Sequence, residues 1–125
     1  MIFDTDILIW VQRGNRKAAR IVEQEIERLL SVLTYMELLQ CAGGKREIES
    51  AKDFLKEFGF RTLPLTETIG HRAAIYVEEH TASNGLRAGD AIVAATATEQ
   101  DLTLCTGNAK HFKPIRELKL RLFKP

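Results

Sequence analysis

Cysteine is scarce in this chain, net charge is almost absent, and no apolar run is long. Cys41 and Cys105 are the only two cysteines among 125 residues, and neither sits in a C-x-x-C pair. Two isolated thiols make neither a disulfide framework nor a zinc cluster, so reduced cysteines of a cytoplasmic protein are expected. Eighteen Lys and Arg against 17 Asp and Glu leave a formal charge of +1, so no global field advertises a polyanionic partner. No hydrophobic stretch approaches the roughly 20 residues that span a bilayer, which excludes a membrane protein of the helical kind. The start lacks the cationic lead and apolar stretch of a signal peptide. Repeats, linkers and low-complexity segments are also missing, and a single domain over residues 1–125 is expected, with 45% hydrophobic residues to fill its core.

The small net charge hides an uneven distribution. The tail "KHFKPIRELKLRLFKP" sets Lys110, Lys113, Arg116, Lys119, Arg121 and Lys124 against Glu117 alone. Arg13, Arg16, Lys17 and Arg20 form a second basic group. Such clusters either contact phosphates or are simply solvated surface, and composition does not decide between the two.

Hydrophobic periodicity supplies the architecture. Met1 to Phe3 reads as a short buried strand with Asp4 at its exit, followed by a short helix in "TDILIWVQRG" that Gly14 stops. Asn15 is placed to cap a second helix, whose Ala18, Ala19, Val22 and Ile26 recur at helical spacing. "RLLSVLT" reads as strand two, and "TYMELLQCAGG" as a helix capped by Thr34. "REIESAKDFLKEFG" is amphipathic; "FRTLPL" is a third strand whose proline suggests a strand end or an edge. A helix from Thr66 to about Thr81, a loop "TASNGLRAG", an alanine-rich helix "DAIVAATATEQ" and strands "LTLCT" and "LKLRLF" complete the chain. Alternating strands and helices predict an α/β fold with a central parallel sheet of four or five strands, covered by helices on both faces.

The first ten residues, "MIFDTDILIW", put Asp4 and Asp6 inside an otherwise apolar segment, where a carboxylate is costly unless paired. In parallel sheets, sites form beyond the carboxyl ends of the strands. Asp4 leaves strand one at that end, and Glu37 is expected in the first turn of the helix after strand two. Asn108 and His111 follow "LTLCT" in "TGNAKHF". The helix holding Asp90 precedes that strand and must run antiparallel to it. About 12 helical residues span roughly 18 Å and five strand residues roughly 17 Å, so the helix start returns to the strand's finish. Each residue has an ordinary alternative: Thr34 and Glu37 fit a T-x-x-E capping box, Asp90 complements a helix N-terminus, and Asp4 and Asp6 are turn residues exposed to solvent. Convergence favours a site, because independent caps have no reason to collect at one point.

Carboxylates drawn together raise one another's pKa, and a divalent cation relieves the repulsion. Oxygen ligands without a nearby cysteine favour Mg²⁺ or Mn²⁺. An acidic metal pocket flanked by basic segments suits a phosphodiester, since the ion activates water and stabilises phosphate charge.

Taken with their order and spacing, "IFDTDILIW", "SVLTYMELLQCAGG" and "LRAGDAIVAATATEQDLTLCTGNAKHF" resemble the PIN-domain ribonucleases, specifically the VapC toxins of VapBC toxin–antitoxin systems. The resemblance covers essentially the whole chain. It implies a PIN-like fold and metal-dependent hydrolysis of RNA by Asp4, Glu37 and Asp90. In that mapping Asp4, Asp90 and Glu37 hold Mg²⁺, directly or through water, and Glu37 also orients or deprotonates the attacking water. Asp6, Thr106 and Asn108 match auxiliary positions that hold or orient metal and water. Where many relatives carry an acid, this chain has His111, a poor Mg²⁺ ligand, so His111 is read as an outer group, an RNA contact or plain surface. Arg87, Lys110 and Lys113 are candidate RNA contacts. The resemblance further implies a VapB-like antitoxin partner and a homodimer.

Two other readings remain. "IFDTD" and "GDA" resemble pieces of haloacid-dehalogenase-like phosphatases, although Ile7-Leu8 stand where that family has Gly-Thr. The other alternative is a catalytically inactive PIN-like protein that binds RNA or a partner without cutting.

Overall fold

A computed structural model describes residues 1–125. The elements are β1 (Ile2–Phe3), α1 (Thr5–Gln12), α2 (Arg16–Gln24), β2 (Leu29–Ser31), α3 (Val32–Gln40), α4 (Lys45–Glu57), β3 (Arg61–Leu63), α5 (Glu67–Asn84), α6 (Ala88–Glu99), β4 (Thr103–Thr106), α7 (Ala109–Phe112) and β5 (Lys119–Leu122). The five strands form one sheet in the order β3-β2-β1-β4-β5, with every pair parallel. The expected α/β class with a parallel sheet therefore holds, and the proline-bearing segment is an edge as anticipated.

The burial of the central strands β1, β2 and β4 follows from the two-sided covering. Side chains alternate across a sheet, so consecutive strand residues serve opposite cores. Ile2, Leu29 and Leu104 join Ile69, Ala73, Ala91, Ala94 and Phe112 on one face. Their neighbours Phe3, Leu30 and Cys105 join Ile7, Leu8, Val22, Leu38 and Phe123 on the other. Fully burying one such Leu, Ile or Phe contributes about 1.5–3 kcal/mol. The alanines of α6 serve close approach instead. Ala91, Ala94, Ala95 and Ala97 are fully buried, so the helix lies tightly between the sheet and α5. A larger side chain at Ala94 has no room and would cost about 1–3 kcal/mol.

Several boundaries differ from the sequence reading; α2 ends at Gln24, so Ile26 falls outside it and is fully exposed. Strand two ends at Ser31, whose Oγ accepts the N–H of Thr34, so Ser31 and not Thr34 caps α3. The T-x-x-E capping box therefore does not form, and Glu37 lies beyond the first turn. Helix α5 continues to Asn84, and Gly85 ends it in a left-handed conformation with φ of 71°, a shape that favours glycine. This shortens the expected loop to the few residues before α6. A short helix, α7, occupies "AKHF" and buries Phe112.

Candidate active site

The central strand β1 delivers Asp4 to the carboxyl edge of the sheet, where its backbone N–H bonds Cys105 O at 2.9 Å. Asp4 is also the cap of α1. Its Oδ1 accepts the N–H of Thr5 at 2.8 Å, and its Oδ2 accepts the hydroxyl of Thr106 at 2.8 Å. The same Thr106 oxygen accepts the N–H of Asn108 at 3.0 Å, which turns the chain after β4. Asp6 is aimed at this turn: its Oδ2 accepts the Gly107 N–H at 2.9 Å, while Oδ1 is buried without a partner. Gly107 is needed for that approach, because a Cβ there would stand 2.7 Å from Asp6 Oδ2.

Glu37 enters from the middle of α3. Thr5 donates its hydroxyl to Glu37 Oε1 at 2.8 Å, joining α1 to α3 across 32 residues. The other oxygen, Oε2, faces α6, only 4.0 Å from where a Cβ on Gly89 would lie. Gly89 also lets α3 approach, since that Cβ would sit 3.1 Å from Leu33. The next residue is Asp90, in the first turn of α6. Asp90 Oδ2 lies 3.2 Å from His111 Nδ1, and Asn108 Nδ2 lies 3.4 Å from the same nitrogen. His111 is therefore engaged with the Asp90 carboxylate and is not loose surface. Arg87, Lys110 and Lys113 are exposed around this edge and none forms an ion pair with the cluster.

Burial pushes the Asp4 carboxyl up to about 6, and the neighbouring Asp6 charge adds to the rise. The Thr106 and Thr5 hydrogen bonds pull against it, and Asp90 contributes a smaller push upward. Asp6 is raised mainly by burial, against the Gly107 N–H that favours its charged form. The acids are thus held at an electrostatic cost that the protein's own cations do not relieve.

No three His, Cys, Asp or Glu side chains stand close enough to form a ready-made metal cage. Asp4 and Asp6 meet through their charges, Glu37 is linked through Thr5, and Asp90 completes the rim. This openness suits Mg²⁺, which keeps several waters and takes one or two carboxylates plus substrate oxygens. The donors are all oxygens, Asp6 Oδ1 lacks a partner, and the charge on Asp4 is penalised. The residues present fit a hard divalent cation.

Sequence reasoning did not single out Thr5, Gly89 or Gly107. Their signals were present, a hydroxyl between two aspartates and a glycine beside Asp90 and after Thr106, but only the packing gives them a role.

Comparison with known proteins shows what the chain is similar to. The model of the PIN domain matches residues 1–118. Ribonuclease VapC10 of Mycobacterium tuberculosis is 35% identical over 124 residues, covering 95% of this chain and 90% of that protein. A solved toxin–antitoxin complex from Klebsiella pneumoniae superposes with a TM-score of 0.79 at 29% identity, over 94% of this chain and 93% of the other. VapBC2 from Rickettsia felis, bound to a fragment of its promoter DNA, shares the fold with a TM-score of 0.78 at 19% identity, over 99% of this chain and 100% of the other.

Proposed function

The chain belongs to the PIN-domain family, and on that premise we propose that it is the toxin of a type II toxin–antitoxin system, a metal-dependent ribonuclease. The observation that carries this reading is the convergence of Asp4, Glu37 and Asp90, from the end of β1, the middle of α3 and the first turn of α6, on the strand edge where Thr106 and Asp6 also meet. The 35% identity to a ribonuclease supports the nuclease chemistry. The toxin–antitoxin complexes among its structural relatives support a VapB-like antitoxin.

Asp4, Asp90 and Glu37 would hold Mg²⁺, directly or through water, with Mn²⁺ as a substitute, while Asp6 adds negative charge behind them. The ion would supply an activated water and a positive charge opposite the phosphate. Glu37 has one oxygen fixed by Thr5 and the other free on the Asp90 side, so it is placed to orient the attacking water or take its proton. Thr106 and the Thr5 N–H keep Asp4 in one rotamer. His111, donating from Nδ1 to Oδ2, steadies the Asp90 carboxylate, and Asn108 stands beside the ring. Arg87, Lys110 and Lys113 contact the RNA backbone, whose phosphates attract cations regardless of sequence. The protein works in the cytoplasm as a single-domain chain that pairs into a homodimer. No helix is long and apolar enough to cross a membrane.

The test is cleavage of a mixed, structured RNA pool by the purified protein. Cleavage is expected with Mg²⁺ or Mn²⁺ and lost in EDTA. Asp90→Asn should abolish it while leaving the far-ultraviolet circular dichroism unchanged. Failure to cut any RNA with either ion would favour an inactive, partner-binding PIN protein. Glu37→Gln separates the nuclease from a phosphatase that uses Asp4 as nucleophile: only the nuclease loses activity.

A further inference from the structure

Thr5 is the one residue that touches two of the three proposed catalytic acids. Its backbone N–H holds Asp4 Oδ1 and its hydroxyl holds Glu37 Oε1, both at 2.8 Å. It sits at the first position of α1, so the helix start fixes its direction, and it is partly buried. A hydroxyl at such a position normally turns to its own helix backbone or to water. Here it donates across 32 residues to a side chain on another helix.

The consequence for Glu37 is geometric. Glutamate has three side-chain torsions, and on α3 nothing else in the structure bonds its carboxylate. With Oε1 fixed by Thr5, Oε2 lies over Gly89, beside Asp90. The same hydrogen bond therefore sets both the position of the carboxylate and which oxygen faces the Asp90 side. Gly89 works with it, since a side chain there would press on Leu33 and approach Oε2.

We propose that Thr5 is a positioning residue of the centre, whose hydroxyl locks the Glu37 carboxylate in its working orientation and couples it to Asp4. This rests on the reading of the carboxylates as a metal-dependent nuclease centre. Thr5 touches neither substrate nor reacting atoms in this role; it acts through Glu37. Residues that orient a ligand carboxylate typically control metal affinity or activity by about 10–100-fold.

The experiment compares wild type with Thr5→Val, which keeps the branched shape without the hydroxyl, and Thr5→Ser, which keeps the hydroxyl. Mn²⁺ affinity is measured by electron paramagnetic resonance, RNA cleavage by kcat and KM, and folding by thermal melting. In Thr5→Val, Mn²⁺ affinity and kcat should each fall by about tenfold or more, with KM for RNA within about threefold. Thr5→Ser should stay within about threefold of wild type on all readouts. In a Glu37→Gln background, Thr5→Val should weaken Mn²⁺ binding by no more than about twofold, since the group it positions is altered.

Wild-type Mn²⁺ affinity and kcat in Thr5→Val would overturn the proposal. So would equal loss in Val and Ser variants accompanied by a lowered melting temperature, which would make Thr5 a packing residue. Full additivity with Glu37→Gln would overturn the coupling. If wild type itself neither binds Mn²⁺ nor cuts RNA, the nuclease reading falls and this inference with it.

Discussion

Thr106 and Asp4 stand 102 residues apart and meet through a hydrogen bond of 2.8 Å, the hydroxyl donating to Oδ2. Thr106 is fully buried and its oxygen also receives the Asn108 N–H. Thr106→Val keeps the shape but strands an acceptor and a donor. A loss of about 1–3 kcal/mol in urea unfolding is expected, together with a large fall in RNA cleavage. Thr106→Ser keeps both bonds and loses one methyl, so it should cost about 1 kcal/mol and retain most activity. Equal effects of Val and Ser would show that the hydroxyl is dispensable.

The Asp4 carboxyl links stability to pH. Its folded pKa, about 6, lies above its ordinary value of 3.8, so the folded state binds the proton more tightly than the unfolded state. The contribution of this group to stability is fully present below pH 3.8 and is lost as pH rises through about 6. In EDTA at pH 7.5, Asp4→Asn should therefore melt higher than wild type, by a stabilisation on the order of 1–3 kcal/mol. The advantage should vanish towards pH 4 and shrink when Mg²⁺ is added, because a ligand that binds the folded state restores the wild type. The same variant should not cut RNA. An Asn variant no more stable than wild type at any pH would contradict the electrostatic account.

Two glycines give opposite expectations for the same substitution. A Cβ on Gly107 would lie 2.7 Å from Asp6 Oδ2 and 3.4 Å from Phe123 O. Gly107→Ala should break the Asp6 bond and cost about 1–3 kcal/mol. Gly70, inside α5, has nothing within 4 Å, and Gly70→Ala should stabilise by about 0.5–1 kcal/mol through helix propensity. Thermal melts of the two variants and their RNA cleavage decide the matter: only Gly107→Ala should lose activity.

The parts of this fold that rest on periodicity were legible in the sequence. The apolar runs around Ile2, Leu30 and Leu104 gave the parallel class, and the length of α6 against β4 predicted that Asp90 returns to the strand ends. Capping was less legible at α3, because Ser31 and Thr34 are both good cap residues and the tertiary fit of strand to helix chose the earlier one. That choice matters to the site, since it leaves the Glu37 carboxylate free of capping duty and open to Thr5. His111 could not be read as an Asp90 partner from spacing alone. Its position depends on α7, four residues long, which forms because Phe112 is driven into the core. Thr5 and Gly107 were illegible for a similar reason: their significance is a distance between segments that no local pattern encodes.

The central place of β1 has a consequence for synthesis. Its two residues pair with β2 and with β4, whose register joins Phe3 to Cys105. Asp4 acquires its Thr106 partner only after 102 further residues have been translated. On the ribosome the segment bearing Asp4 and Asp6 emerges early and waits, its carboxylates still hydrated, for a strand that arrives late. A nascent chain halted before β4 thus carries Asp4 and Asp6 but lacks the Thr106 and Gly107 partners that hold them.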